Sequence, residues 1–186
     1  MTRRGRLAGL GAAGLGMAGL LGAGVVTPAA AAAASSFTST IYSAAIKSCV
    51  DVPGGTTDIN TNLVGKTCSG AAEQRFTFTP VAGHPGTYTL INAASKECAH
   101  NYRFNVRQQS CSSPAPNPSW DEWVMLPVNA SAHQYRLEPA DYAGDGKYAR
   151  VVGAHPAPPG YPAPILTLDL INTADPAQTF VIAGAI

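Results

Sequence analysis

The chain repeats itself at an offset of 49 residues, and that fact narrows its possible folds more than any other. Residues 39–49 read STIYSAAIKSC and residues 88–98 read YTLINAASKEC, so Thr40 matches Thr89, Ile41 matches Leu90, Lys47 matches Lys96 and Cys49 matches Cys98. Each copy then runs through a loop to a second cysteine, Cys68 or Cys111, and closes on an aromatic-centred segment, Gln74-Arg75-Phe76-Thr77-Phe78 or Glu122-Trp123-Val124-Met125-Leu126. A third, more worn copy begins at Tyr135–Leu137, carries Tyr148 and Leu170 where the cysteines would stand, and closes on Gln178-Thr179-Phe180-Val181-Ile182. A unit of roughly fifty residues cannot bury its apolar face alone, so three of them are expected to share one core. Short alternating segments punctuated by VPGG, AGHPG, DYAGDGK and HPAPPGYPAP make each unit all-β. The copies span about residues 37–80, 86–128 and 133–183.

Residues 1–34 stand apart from this pattern. A basic start (Arg3, Arg4, Arg6), an apolar Gly/Ala/Leu stretch and a run of alanines have the layout of an export signal, with cleavage near Ala34. The Arg3-Arg4 pair fits twin-arginine export as well as an ordinary basic leader. What remains, residues 35–186, is one domain of a secreted protein with no membrane span. Residues 35–186 hold 9 basic and 11 acidic residues, a net charge of −2 with histidine neutral. That balance offers no basic patch for nucleic acid. Four cysteines in an exported chain imply two disulfides, and locality within the repeats selects Cys49–Cys68 and Cys98–Cys111. In the third copy Tyr148 and Leu170 are expected to pack together in place of the staple. No CxxC or paired-histidine spacing points to a metal, and no cofactor is expected.

Lys47-Ser48-Cys49-Val50-Asp51-Val52 followed by Pro53-Gly54-Gly55, together with Gln74-Arg75-Phe76, Asp121-Glu122-Trp123 and Gln178-Thr179-Phe180, resembles the ricin B-type lectin family. In that family three such units, each ending in a Gln-x-Trp signature, build a β-trefoil, and the resemblance extends over residues 37–186. It implies a carbohydrate-binding protein, with cell-wall polysaccharide among the possible ligands. Sugar-binding members place an acidic acceptor just after the first cysteine and an aromatic platform two residues before the second. A glutamine two residues before the platform and an asparagine before the Gln-x-Trp add polar contacts. The logic is chemical: a pyranose offers directional hydroxyls and one apolar face, so a shallow site needs fixed acceptors beside a ring.

Carried over by position, the resemblance places a weak sugar site in the first copy, with Asp51 as acceptor, Lys66 at the platform, Glu73 at the asparagine position and Gln74 in the signature. In the second copy His100 and Gln109 take the corresponding places, with Tyr102 or Phe104 as a displaced platform and Trp120, after the Pro-rich turn Ser112–Ser119, as a further exposed candidate. The third copy has Arg150 and Leu168 there. Each assignment has a structural counterpart: Asp51 also suits a turn cap before Pro53-Gly54-Gly55, Lys66 a solvated surface, and Asn101–Asn105 a strand with one buried face. Trp123 fits a core position better than a surface one. Catalysis has no sequence support, since no nucleophile elbow, His-Glu-x-x-His or phosphate loop is present. The alternative to a lectin is a trefoil acting through protein contacts, as inhibitor or adhesin, by way of Gly153–Pro164 or Tyr102–Phe104.

Overall fold

Period-2 alternation builds the core. In Arg75–Pro80 the residues Phe76 and Phe78 point inward, in Glu122–Asn129 Trp123 and Met125, and in Gln134–Pro139 Tyr135 and Leu137. A strand places alternate side chains on opposite faces, so each segment can line a common interior with one face only. A computed structural model describes residues 35–111, 118–143, 150–157, 159 and 163–184. The expected export signal, Tyr148 and most of the Pro-rich stretch Ser112–Ser119 lie outside the described residues.

Among the described residues thirteen strands run in chain order: β1 (Phe37–Thr40), β2 (Tyr42–Ser43), β3 (Ser48–Asp51), β4 (Val64–Lys66), β5 (Arg75–Pro80), β6 (Thr87–Asn92), β7 (Cys98–Tyr102), β8 (Asn105–Gln109), β9 (Glu122–Asn129), β10 (Gln134–Pro139), β11 (Arg150–Ala154), β12 (Leu166–Leu170) and β13 (Phe180–Val181). β1 and β2 are two halves of one strand interrupted at Ile41. β1 pairs with β5, β5 with β6, β6 with β9, β9 with β10, β10 with β13, and β13 with β2. That sequence of pairs closes a ring, which removes exposed barrel edges. The hairpins β3–β4, β7–β8 and β11–β12 cap it, one from each repeat, and touch through Asn62↔Arg107, Val64↔Ile165 and Thr167↔Asn105. The architecture is a β-trefoil.

Pseudo-symmetry reaches individual residues. Lys47 and Lys96, matched in the repeat, both take left-handed backbone (φ 50° and 67°) in the turn that enters the capping hairpin. Phe76, Trp123 and Phe180 occupy the same core position and are at most 1% exposed. Phe76 and Trp123 with Ile41, Leu90 and Leu137 leave a void of only about 10 Å³, whose apolar lining offers a water no hydrogen-bond partner. Both disulfides form as expected, Cys49–Cys68 and Cys98–Cys111. Closing loops of 19 and 13 residues, each stabilises the fold by about 3 kcal/mol in the chain-entropy account. In the third repeat Leu170 is exposed and its backbone pairs with Arg150.

Candidate functional site

The glutamine of the closing signature is a structural clamp. Gln74 Nε2 donates to the Thr67 carbonyl (2.9 Å), and its Oε1 accepts from the Ser69 amide (2.7 Å). Gln178 repeats the pattern in the third unit: its Nε2 donates to the Leu170 carbonyl (2.9 Å) and its Oε1 accepts from the Asn172 amide (2.8 Å). Both are buried, so each amide satisfies backbone groups that water cannot easily reach. Gln74 also donates to Asp51 Oδ2 at 2.9 Å.

Asp51 is therefore enclosed rather than presented. It has no exposed surface, though it lies at a shallow depth, and its Oδ1 has no hydrogen-bond partner. Burial raises its pKa above the usual carboxylate value; the Gln74 bond and the charge of Lys66 oppose the rise, and Glu73 adds to it. Lys66 is exposed and Glu73 half-buried beside it. A sugar hydroxyl cannot reach a carboxylate with zero exposure, so the expected acceptor in the first repeat is corrected to a buried partner of Gln74. The carboxylate instead faces the buried Gln74 amide, to which it is hydrogen-bonded.

In the second repeat the same two positions hold His100 and Asp121. His100 Nδ1–H donates to Asp121 Oδ1 at 2.6 Å, and both residues are buried. Asp121 is one methylene shorter than the glutamine of its sister repeats, and it engages the strand-borne imidazole in their place. Beside it Trp120, 45% exposed, meets the His100 ring edge-to-face with centroids 5.5 Å apart. Trp120 is thus held by the ring beneath it and by the anchored Asp121 next to it in the chain. Trp123, by contrast, is in the core, its Nε1 donating to the Ala99 carbonyl.

Trp120 forms one wall of a cleft of about 330 Å³ lined also by Asn101, Tyr102, Arg103, Asp141 and Tyr142. Asn101 and Tyr102 end β7, Arg103 sits in the β7–β8 turn with φ 57°, and Asp141 and Tyr142 follow β10. The expected strand over Asn101–Asn105 is thus a hairpin turn. Asn101 Nδ2 donates to Asp141 Oδ1 at 2.7 Å, tying the second repeat to the third. Partial burial raises the Asp141 pKa, although the residue's outer surface is exposed; the Asn101 bond, a bond to its own backbone and the charge of His100 oppose that rise. The guanidinium of Arg107 lies 4.5 Å from the Tyr102 ring centroid while its Nε donates to Asn62 Oδ1.

Of the second-repeat candidates, Tyr102 and Trp120 come together in this cleft and His100 supports it. Gln109 does not join them. Its Nε2 donates to Asn60 Oδ1 (2.7 Å), and the buried Gln108 beside it holds the carbonyls of Thr56 and Asp58, so both glutamines anchor the loop before Leu63. Asn101, Arg103, Asp141 and Tyr142 went unselected in the sequence, where only the polar-aromatic cluster Asp141-Tyr142 inside a turn marked the spot. A second His–Asp pair, His155 Nε2 to Asp169 Oδ2 at 2.7 Å, sits on the third hairpin, with the Thr167 hydroxyl donating to Asp169 rather than facing the imidazole. Among the described residues no three histidine, cysteine or acidic side chains converge as metal ligands, and no helix is long and apolar enough to cross a membrane.

A closed ring of strands capped by one hairpin from each repeat defines the β-trefoil class of fold. Residues 32–105 match the ricin-type β-trefoil lectin domain-like family, over the part of the chain that carries the first repeat and the start of the second. Its structure is similar to the ricin B-like lectin of Macrolepiota procera, solved in complex with lactose (15% identity, 81% of this chain and 96% of that one, TM-score 0.59). It is similar also to the Rhizoctonia solani agglutinin (14% identity, 82% and 98%, TM-score 0.60) and to the designed three-fold symmetric protein ThreeFoil (14%, 78% and 96%, TM-score 0.63). At such identities the likeness is one of fold. No curated protein matches the sequence significantly.

Proposed function

We propose that the protein is an exported carbohydrate-binding protein, its leader 1–34 removed, whose site is the second-repeat cleft rather than the surroundings of Asp51. One observation carries the reading: Tyr102, Trp120 and Tyr142 line a concavity together with the hydrogen-bonded pair Asn101–Asp141. Rings that stack on the apolar face of a pyranose, beside fixed polar groups that meet its hydroxyls, are what saccharide recognition requires. The volume, about 330 Å³, suits one or two sugar units rather than a deep cavity ligand. The two disulfides accord with an oxidising, extracellular compartment. Binding, not turnover, is the role the cleft supports.

The test is a calorimetric titration of the purified protein with a panel of mono- and oligosaccharides, beside Trp120→Ala and Tyr102→Ala. Saturable binding is expected, weakened roughly tenfold by either substitution, as loss of one ring contact of about 1 kcal/mol or more implies. Saturable binding that both variants retain would move the site elsewhere. A protein-contact role has one observation in its favour, Phe104, 64% exposed at the tip of the same hairpin. Binding of no saccharide at all by folded protein would bring that role forward.

A further inference from the structure

The charged groups around the cleft are unequally engaged. Arg107 is committed to Asn62 and to the Tyr102 ring, Asp141 is tied by Asn101, and His100 and Asp121 satisfy each other. Arg103 is different. It is exposed, lines the cleft, reaches the Tyr102 ring only at 5.6 Å, and among the described residues forms no ion pair. It also takes left-handed backbone at φ 57°, a conformation that costs a residue with a side chain about 1 kcal/mol and that glycine or asparagine adopts more readily. Exposed and lining the cleft beside the Tyr102 ring, Arg103 keeps its guanidinium within reach of a ligand. Among the described residues two cations, Arg103 and Arg107, thus flank Tyr102, and one carboxylate, that of Asp141, lines the cleft, although residues 35–186 as a whole carry an acidic excess of 9 basic against 11 acidic residues.

We infer that the cleft takes an anionic saccharide, of which a hexuronate is the simplest, its acidic group received by the Arg103 guanidinium while its apolar face lies against Tyr102 and Trp120. This deepens the carbohydrate-binding reading and rests on it. A planar guanidinium fork matches the two oxygens of a carboxylate, and its charge-assisted bonds are roughly twice as strong as neutral ones. The Asn101–Asp141 pair then faces ring hydroxyls, where acceptor and donor functions are both needed.

The experiment titrates the purified protein with three sets of oligosaccharides of equal length, read by isothermal titration calorimetry at low and moderate salt: uronate oligomers, sulfated neutral-backbone oligomers and unsubstituted neutral oligomers. Arg103→Gln and Trp120→Ala are titrated beside the parent. The expected result is at least tenfold tighter binding of an anionic set than of the neutral set, a preference that Arg103→Gln removes and that falls as salt rises. The uronate and sulfate arms distinguish which anion the guanidinium prefers. Equal affinity for neutral and anionic sets, unchanged by Arg103→Gln but lost in Trp120→Ala, would overturn the inference and leave the cleft a neutral-sugar site. No response to any set would overturn the carbohydrate reading itself and the inference with it. Arg103 is exposed, so its replacement leaves the fold intact, and a far-ultraviolet spectrum and melting curve matching the parent's check this.

Discussion

Asp51→Asn isolates the consequence of enclosing a carboxylate with a single hydrogen bond. Asn has the same shape, and its side-chain oxygen can keep the bond that Gln74 Nε2 makes to Asp51 Oδ2. The charge is removed and the unpartnered Oδ1 becomes an amide NH2, at a residue with zero exposure. A buried polar group left unsatisfied costs about 1–3 kcal/mol, more when ionised. Relieving the ionic share should therefore stabilise the fold at neutral pH by about 1 kcal/mol, or roughly 2–4 °C in melting temperature for a chain of this size. The sign with pH follows from the direction of the shift. Burial raises the folded-state pKa of Asp51 above the ordinary aspartate value of 3.8, so the folded protein holds this proton more tightly than the unfolded chain does. The stability that protonation supplies is fully present below 3.8 and is lost as pH rises through the raised folded value. The gap between variant and parent should accordingly be smallest in acid and widen toward neutral pH. Urea unfolding of both disulfide-intact proteins at a series of pH values measures it. A parent more stable than the variant at neutral pH, or a gap that does not change with pH, would refute the account of Asp51 as an under-satisfied buried acid. The same variant should bind saccharide as the parent does; loss of binding would return the site to the first repeat.

Two further outcomes follow from the clamps and from the imidazole. Gln178→Ala removes two bonds to the backbone of residues 170–172 and should destabilise by about 2 kcal/mol without touching the cleft, read by the same unfolding assay; a neutral effect would mean that water replaces the amide at no cost. In a Trp123→Phe background, which copies the phenylalanine of the sister repeats and leaves Trp120 the only indole of the chain's two tryptophans, His100→Gln should red-shift Trp120 emission and weaken saccharide binding; unchanged emission would remove His100 from its place under the ring.

The fold was legible because its signal is distributed. An offset of 49 residues aligning strands, turn lysines and cysteines cannot be satisfied by many architectures, and the Lys47/Lys96 pair even shares its left-handed backbone. Trp123 as core and both cysteine pairings followed from the same register. The site was less legible, for two physical reasons. Position after the first cysteine identifies Asp51 but not whether its carboxylate turns outward or in, and the Gln74 amide settles that only in three dimensions. Moreover, the cleft joins Asn101 to Asp141, 40 residues apart and in different repeats, so no reading confined to one copy could assemble it. Gln109 was lost by a related ambiguity: along β8 the neighbour Gln108 is buried while Gln109 turns to Asn60.

The three closing signatures argue for where such a fold places its site. Gln74 and Gln178 carry out the same task, each binding one carbonyl and one amide of the loop that precedes it. Asp121 stands at the equivalent place, too short for that reach, and bonds His100, which replaces the acidic residue of the first copy. The exchange is paired: Asp with Gln in one repeat, His with Asp in the other, so each buried polar group keeps a partner across the same gap. The second repeat gives up the glutamine clamp, and Trp120, next to the substituted residue, is held out beside solvent against the new imidazole. In a chain built of three copies, fidelity to the repeat marks what the fold needs. The cleft therefore lies where one copy departs from the other two in a compensated way, and a search for the family's acceptor in the most faithful copy leads to a residue that the fold has already used.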